Sequence, residues 1–320
     1  MPGLLYHGRV FEQNPPRIAL TTLKRGEIVE IRPWSRRKFM GMAGFVGGAA
    51  FLSPALLHAV EPHVKDEPYN TLTPEEEIAL GRRFSEEYEK KVQILHNPAI
   101  DAYLNHIIRK LGDASQRPRW PYQVKVVNSA VVNASAIPGG FLYIQRGLLE
   151  YVEDENEMVG AMAHEVGHVV ARHTTNQLVL TFMARNLYDK VKQNVLRNNQ
   201  VISRIIEALG GPVVMLAQLR YSRENESEAD MLGFYEMLRA GWNPVGLLRF
   251  FSRLEQSERN RTSIDVMLSD HPASADRAEA IRKEMTTVKI TAPEVVQSAQ
   301  FREMKGTLRL MPPAPKPEKR

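Results

Sequence analysis

Beyond residue 70 the apolar positions recur mostly at three- and four-residue intervals, the spacing of one helix face, and alternate in only a few short runs. A helix-start pattern opens "LTPEEEIALGRRFSEEYEKKV", where Thr73 precedes Pro74 and Glu76. The spacing of Ile100, Tyr103, Leu104, Ile107, Ile108 and Leu111 predicts a second helix from about Pro98 to Leu111. "PYQVKVVNS" alternates as a strand does, and "VVNASAIPGGFLYIQRGLL" reads as strand, glycine turn and strand. A long helix is predicted from about Asp154 to His173. Residues Thr174 to Tyr221 read as two helical stretches around "RNNQ" with a "GGP" break at 210–212. A further helix spans roughly Ser222 to Ala240 and stops at Gly241, and "PVGLLRFFSRLEQ" is amphipathic. After "SDHPASADRAEAIRKEM" come one short strand-like piece, "TTVKIT", a helix, and the tail "MPPAPKPEKR", whose prolines and charges predict disorder. The pattern as a whole is α+β, predominantly helical, with a small edge-strand sheet.

One predicted helix carries residues that its pattern does not ask for. In "AMAHEVGHVVARH", residues 161–173, His164, Glu165 and His168 stand among alanines, valines and a methionine, with almost no polar face between Glu157 and Arg172. A helix apolar nearly all round is buried, and buried imidazoles and carboxylates need partners. Four residues apart, His164 and His168 lie one turn apart on one face, so two ring nitrogens can reach one ion. The alternative is a pair of core histidines bonded to backbone carbonyls. The chain has no cysteine, so any metal is held by His, Asp or Glu, and a catalytic zinc takes three protein ligands. "YSRENESEAD" supplies the third: on a helical wheel Glu226 and Asp230 share the stripe of Phe234 and Met237, while Glu224 and Glu228 fall on the far side. Glu226 is assigned as third ligand and Asp230 as acceptor for a ligand histidine N–H. The competing reading pairs these acids with Arg223 or Arg220 in salt bridges.

Composition narrows the partners. The formal charge of +5 invites a nucleic-acid reading, but residues 1–59 hold eight Lys and Arg against three acids. The remainder is balanced at thirty-four of each, so the body has no basic bias and no nucleic-acid partner is expected. The N-terminal excess sits before a weakly apolar stretch: Ser35-Arg36-Arg37-Lys38-Phe39-Met40, then no Lys, Arg, Asp or Glu from Phe39 to Val60, a run that carries four glycines and Pro54. That order resembles a twin-arginine export signal with a cut near Ala59, which places the body in the periplasm. An uncleaved membrane anchor over residues 39–60 is the alternative. "ALGGPVVMLAQL" is too short to span a bilayer, and packs on the fold or touches a membrane surface.

From about Leu72 to Arg277 the chain resembles the zinc metallopeptidases of the HtpX and CAAX prenyl-protease family, most closely their soluble periplasmic, BepA-like branch. The resemblance rests on "EEEIALGRRF", "VVNASAIPGGFLYIQRGLL", "EMVGAMAHEVGHVVARH", "SRENESEAD" and "SDHPASADR" in that order. It implies a zincin-like (gluzincin) fold with an HExxH active-site helix, and one zinc ion on His164, His168 and Glu226. It also implies that His271 and Arg277 stand at the cleft, near the reacting water or the oxyanion. "NASAIPGGF" is similar to the edge strand that binds substrate backbone, which makes Asn133, Ala134, Ser135, Ala136, Gly139 and Gly140 the candidate substrate-binding residues. The expected organisation is an export leader (1–59), a peptidase domain (60–290) and a short C-terminal extension (291–320) in place of the branch's helical repeats.

The expected activity is endoproteolysis of misfolded or unassembled envelope or outer-membrane proteins. Glu165 acts as general base on the attacking water and His271 or Arg277 steadies the oxyanion. The rival expectation is an envelope chaperone with a structural or latent zinc, in which His271 takes the fourth coordination place.

Overall fold

A computed structural model of the chain describes residues 61–258, 271 and 275–316. The expected export signal lies outside these residues, as does all of the "SDHPAS" stretch except His271. Helix α1 (Pro74–Glu89) begins with a reciprocal cap: the Thr73 hydroxyl accepts from the Glu76 N–H, and the Glu76 carboxylate accepts from the Thr73 N–H. Strand β1 (Ile94–Leu95) leads to α2 (Pro98–Asp113), whose first turn is capped by Asn97. β2 (Gln123–Val127), β3 (Ala134–Ile137), β4 (Phe141–Gln145) and the short helix α3 (Arg146–Tyr151) follow. The strand order is β1-β2-β4-β3, with β2 and β4 parallel and the other pairs antiparallel, so β3 stands at an edge.

The sheet is buried on both faces. Along β4, Phe141 and Tyr143 join Leu80, Phe84 and Tyr88 of α1 in one core, while Leu142 and Ile144 join Leu104 and Ile108 of α2 in the other. A turn over Pro138–Gly140 connects β3 to β4, with Gly139 at φ 78° and Gly140 at φ 95°. A Cβ on Gly139 would stand 2.6 Å from the Ile78 Cα. Gly139 and Gly140, expected among the substrate-binding residues, make this turn and are buried, the first beneath α1 and the second beside Pro121–Tyr122.

Helix α4 (Glu155–Val170) starts at Asp154 and stops short of His173, because Arg172 takes a left-handed conformation at φ 59°. The chain then runs through four short helices, α5 (His173–Ala184), α6 (Tyr188–Asn194), α7 (Asn199–Ala208) and α8 (Gly211–Gln218), two more than its pattern shows. Among the described residues no single helix is long and apolar enough to cross a membrane; α7 and α8 pass that test only as a pair bent by 59°. Ile202, Ile205, Ile206 and Met215 of that pair are packed in the core with α1 and α5.

α9 (Arg223–Ala240) ends at Gly241, φ 84°, as expected. α10 (Val245–Glu258), α11 (Ala275–Met285) and α12 (Ala299–Leu310) complete the body. "TTVKIT" forms no strand: the Thr286 and Thr287 amides and hydroxyls donate to the Lys283 and Glu284 carbonyls and close off α11. Nor is the described part of the tail loose. Phe301, Met304 and Leu308 of α12 are in the main core, Arg146 donates to the Pro312 carbonyl at 2.7 Å, and the Ala130 N–H donates to that of Pro315 at 2.9 Å.

Candidate metal centre

α4 and α9 cross antiparallel at backbone contact. A Cβ on Gly167 would fall 2.4 Å from the Ala229 carbonyl oxygen, and one on Gly233 would fall 2.8 Å from that of Ala163. Because glycine lets the two backbones meet, side chains beside the crossing converge. His164 and His168 come from α4, Glu226 and Asp230 from α9, and His271 from the segment before α11.

The convergence is tight and fully buried. His164 Nε2 lies 3.0 Å from His168 Nε2 and 3.4 Å from Glu226 Oε2, and His168 Nε2 lies 3.4 Å from Glu226 Oε1. His271 Nδ1 stands 3.1 Å from both His164 Nε2 and Glu226 Oε1, and its Nε2 is 3.4 Å from Glu165 Oε1. Adjacent ligand atoms around a tetrahedral zinc with bonds of about 2.0–2.1 Å are about 3.3 Å apart, so these spacings suit one ion. Charge agrees. Among the described residues, Glu165, Glu226 and Asp230 line the cluster and Arg277 pairs with the last two; with neutral imidazoles two negative charges remain, which a divalent cation cancels. Burial opposes the His164 imidazolium, yet bonds from Asp230 and Glu226 outweigh it and push its pKa up to about 9. The pocket thus favours positive charge at that ring. Burial holds His168 well below the ordinary range.

Asp230 accepts from His164 Nδ1–H at 2.9 Å. Arg277 Nε and Nη2 donate to Asp230 at 2.6 and 2.7 Å, and its Nη1 is 2.7 Å from Glu226 Oε2. Its guanidinium thus steadies two carboxylates. Burial would raise the Asp230 pKa, but Arg277 keeps it below the ordinary carboxylate range. The alternative pairing of these acids with Arg223 or Arg220 is replaced by Arg277.

The edge strand lies beside this cluster. Gln145 N–H donates to the Asn133 carbonyl, so Asn133, Ser135 and Ile137 bond inward to β4 while the backbone groups of Ala134 and Ala136 point to the open edge. The Ala136 carbonyl already accepts from the Thr174 hydroxyl at 2.9 Å, and Thr174 Oγ1 lies 2.9 Å from Tyr221 Oη. Sequence reasoning missed Tyr221, whose ring lies against His168 (centroids 4.1 Å apart) and stacks on His271 (5.5 Å). It also missed His173, 3.0 Å from His168 through the two Nδ1 atoms. A third histidine at the end of the motif stretch was its only signal.

The sequence profile of peptidase family M48 matches residues 98–285, more than half the chain, from the start of α2 to the end of α11. The chain belongs to peptidase family M48. The resemblance drawn from the motifs is confirmed at this level, and the matched span includes every residue of the cluster. M48 relatives include the beta-barrel assembly-enhancing protease of Escherichia coli, 23% identical over 263 residues (78% of this chain, 52% of the relative). That of Yersinia pestis is 24% identical over 247 residues (73% and 49%). Metalloprotease LoiP of Escherichia coli is 29% identical over 167 residues (52% and 64%). This M48 chain thus spans about half the length of the assembly-enhancing proteases it matches.

Proposed function

We propose that this M48 chain is a periplasmic, zincin-like single-zinc endopeptidase that cleaves misfolded or unassembled envelope proteins. The observation that carries the reading is the buried meeting of His164 Nε2, His168 Nε2 and the Glu226 carboxylate within 3.4 Å of one another, with Glu165 alongside. His164, His168 and Glu226 would hold the ion. When bound, zinc supplies Lewis acidity to a scissile carbonyl and to water. Glu165 takes the proton of the attacking water and passes it to the leaving amine. Asp230 holds the His164 ring through Nδ1, and Arg277 holds Asp230. An extended peptide adds to β3 through the outward backbone groups of Ala134 and Ala136, with Asn133 and Ser135 fixing the strand from within; main-chain pairing of this kind tolerates many side chains. The names of the assembly-enhancing relatives favour outer-membrane proteins as the substrate class.

His271 gives a second reading its support. Its Nδ1 is as close to Glu226 and His164 as those groups are to one another, so it would complete a four-ligand, latent centre and must withdraw before water can enter. One experiment tests both. Metal analysis of the mature protein is expected to find about one zinc per chain. Cleavage of an unfolded outer-membrane protein is expected to stop in Glu165→Gln; cleavage that survives that substitution sinks the peptidase mechanism, and zinc without any cleavage favours the latent centre.

A further inference from the structure

The two motif histidines are supported unequally. Behind His164 stand Asp230 and Arg277, whereas His168 Nδ1 meets another imidazole, His173 Nδ1, at 3.0 Å. With His168 Nε2 facing the cluster, the neutral ligating ring carries its proton on Nδ1, and His173 Nδ1 is then the acceptor. That leaves the His173 proton on Nε2, 3.4 Å from Glu228 Oε2. His173 is buried and Glu228 partly exposed, so a carboxylate–histidine–histidine chain runs from the surface to the cluster.

The backbone is bent to make this contact. On an uninterrupted α4, position 173 would lie about 140° round the axis from His168 and point elsewhere. The left-handed turn at Arg172 breaks the helix first, a conformation that costs a non-glycine residue about 1–2 kcal/mol. Arg172 is held there by Glu77 (2.6 Å) and the Leu72 carbonyl (2.8 Å). Strain maintained beside a buried polar cluster points to a role for what it positions.

We propose that His173, steadied by Glu228, is the positioning residue of His168: it sets that ring's tautomer and orientation and so strengthens its grip on the divalent ion. The inference rests on the metal-centre reading. A cavity of about 310 Å³, lined by His173, Glu228, Asn176 and Arg220 among others, lies on the outer side of the pair and supplies a route for testing it.

The test is zinc affinity of the full chain by competition with a chromogenic chelator, with urea unfolding of the apo forms alongside. Loss of an outer partner typically costs about 10–100-fold in metal affinity, and His173→Gly is expected to lose that much. Imidazole in solution, entering by the cavity, is expected to restore most of the loss relative to wild type in the same imidazole, without changing apo stability. His173→Asn, whose Oδ1 can stand where Nδ1 did, is expected to stay within a few-fold of wild type, and Glu228→Ala to fall in the same direction as the glycine variant. Unchanged affinity in His173→Gly or, should that variant not fold, in Glu228→Ala overturns the proposal. So does a loss that neither imidazole nor asparagine repairs. A wild-type chain that binds no zinc fails the metal-centre reading itself, whereas zinc held equally by wild type and variants fails only this inference.

Discussion

A single methyl group at Gly167 should disable the centre while leaving most of the fold intact. The Cβ of Gly167→Ala would sit 2.4 Å from the Ala229 carbonyl oxygen and 2.9 Å from its Cα. Both are backbone atoms of α9, and real Cβ contacts essentially never fall below 3.0 Å, so the helices must part locally by at least about 0.6 Å. His168, one residue on, and Glu226, one turn back from Ala229, lie on opposite sides of that opening and start 3.4 Å apart. A metal site tolerates about 0.2 Å in its bond lengths, and a shift approaching 1 Å can cost about 100-fold in rate. Stability moves less. Overpacking costs about 1–3 kcal/mol, and alanine recovers up to about 1 kcal/mol of helix propensity. The expected signature is a loss of zinc affinity and cleavage of tenfold or more with a net destabilisation of about 0–2 kcal/mol. Chelator competition and urea unfolding read the two quantities. Gly306→Ala on α12 is the control, because its Cβ would meet nothing within 4 Å; it should leave zinc binding alone and stabilise slightly. Gly167→Ala binding zinc within twofold of wild type would refute the argument that backbone contact sets the ligand spacing.

Glu236 on α9 is fully buried, with no hydrogen-bond partner for either carboxylate oxygen among the described residues. Burial first, with Glu61 adding to it, pushes its pKa well above the ordinary value, so the folded chain holds a proton that the unfolded chain releases. Stability should therefore fall as pH rises above about 4.3, by up to about 1.4 kcal/mol per unit, and Glu236→Gln should flatten that slope and be about 2–3 kcal/mol more stable at pH 7; parallel urea curves from pH 5 to 8 for the two proteins would contradict this. Arg277→Met leaves Asp230 and Glu226 buried without their cation and should cost about 3–5 kcal/mol in the apo form, part of it returned by zinc; wild-type stability without zinc would show that Arg277 is not holding them. Thr174→Val removes the hydroxyl bond to the Ala136 carbonyl, worth about 1 kcal/mol, and should raise kcat/KM for an extended peptide by up to about fivefold if that carbonyl receives substrate; a decrease would mean that Thr174 instead supports the bound state.

Relations within one element were legible in the sequence. Helical phase alone placed His164 and His168 together, turned Glu226 and Asp230 inward with Phe234 and Met237, and sent Glu224 and Glu228 outward. Two-residue alternation marked β4, whose faces do enter different cores. Relations across a break were not legible. His173 sits beyond a left-handed Arg172 that no glycine announced, so extending the helix turned it away from its actual neighbour. Helices of seven or eight residues such as α6 and α8 complete only about two turns, too few for a period to show. "TTVKIT" has strand composition, but its first two threonines close off α11 instead.

The same distinction explains the fate of the charged residues. Three carboxylates and three imidazoles in one dry site demand compensation, which sequence could foresee, but the identity of the compensating cation depends on a chain path that brings residue 277 to residues 226 and 230. Arg223 lies three residues before Glu226, within reach of it along the helix, but both Arg220 and Arg223 are exposed. The buried guanidinium comes from another element. α11 supplies it by packing against α9 and α10, where Arg277 also lies over the Phe251 ring, 4.3 Å from its centroid. Arg277 therefore couples the position of α11, and of His271 just ahead of it, to the carboxylates that shape the centre. His271 and Arg277 also meet on one carboxylate, Glu226, at 3.1 and 2.7 Å.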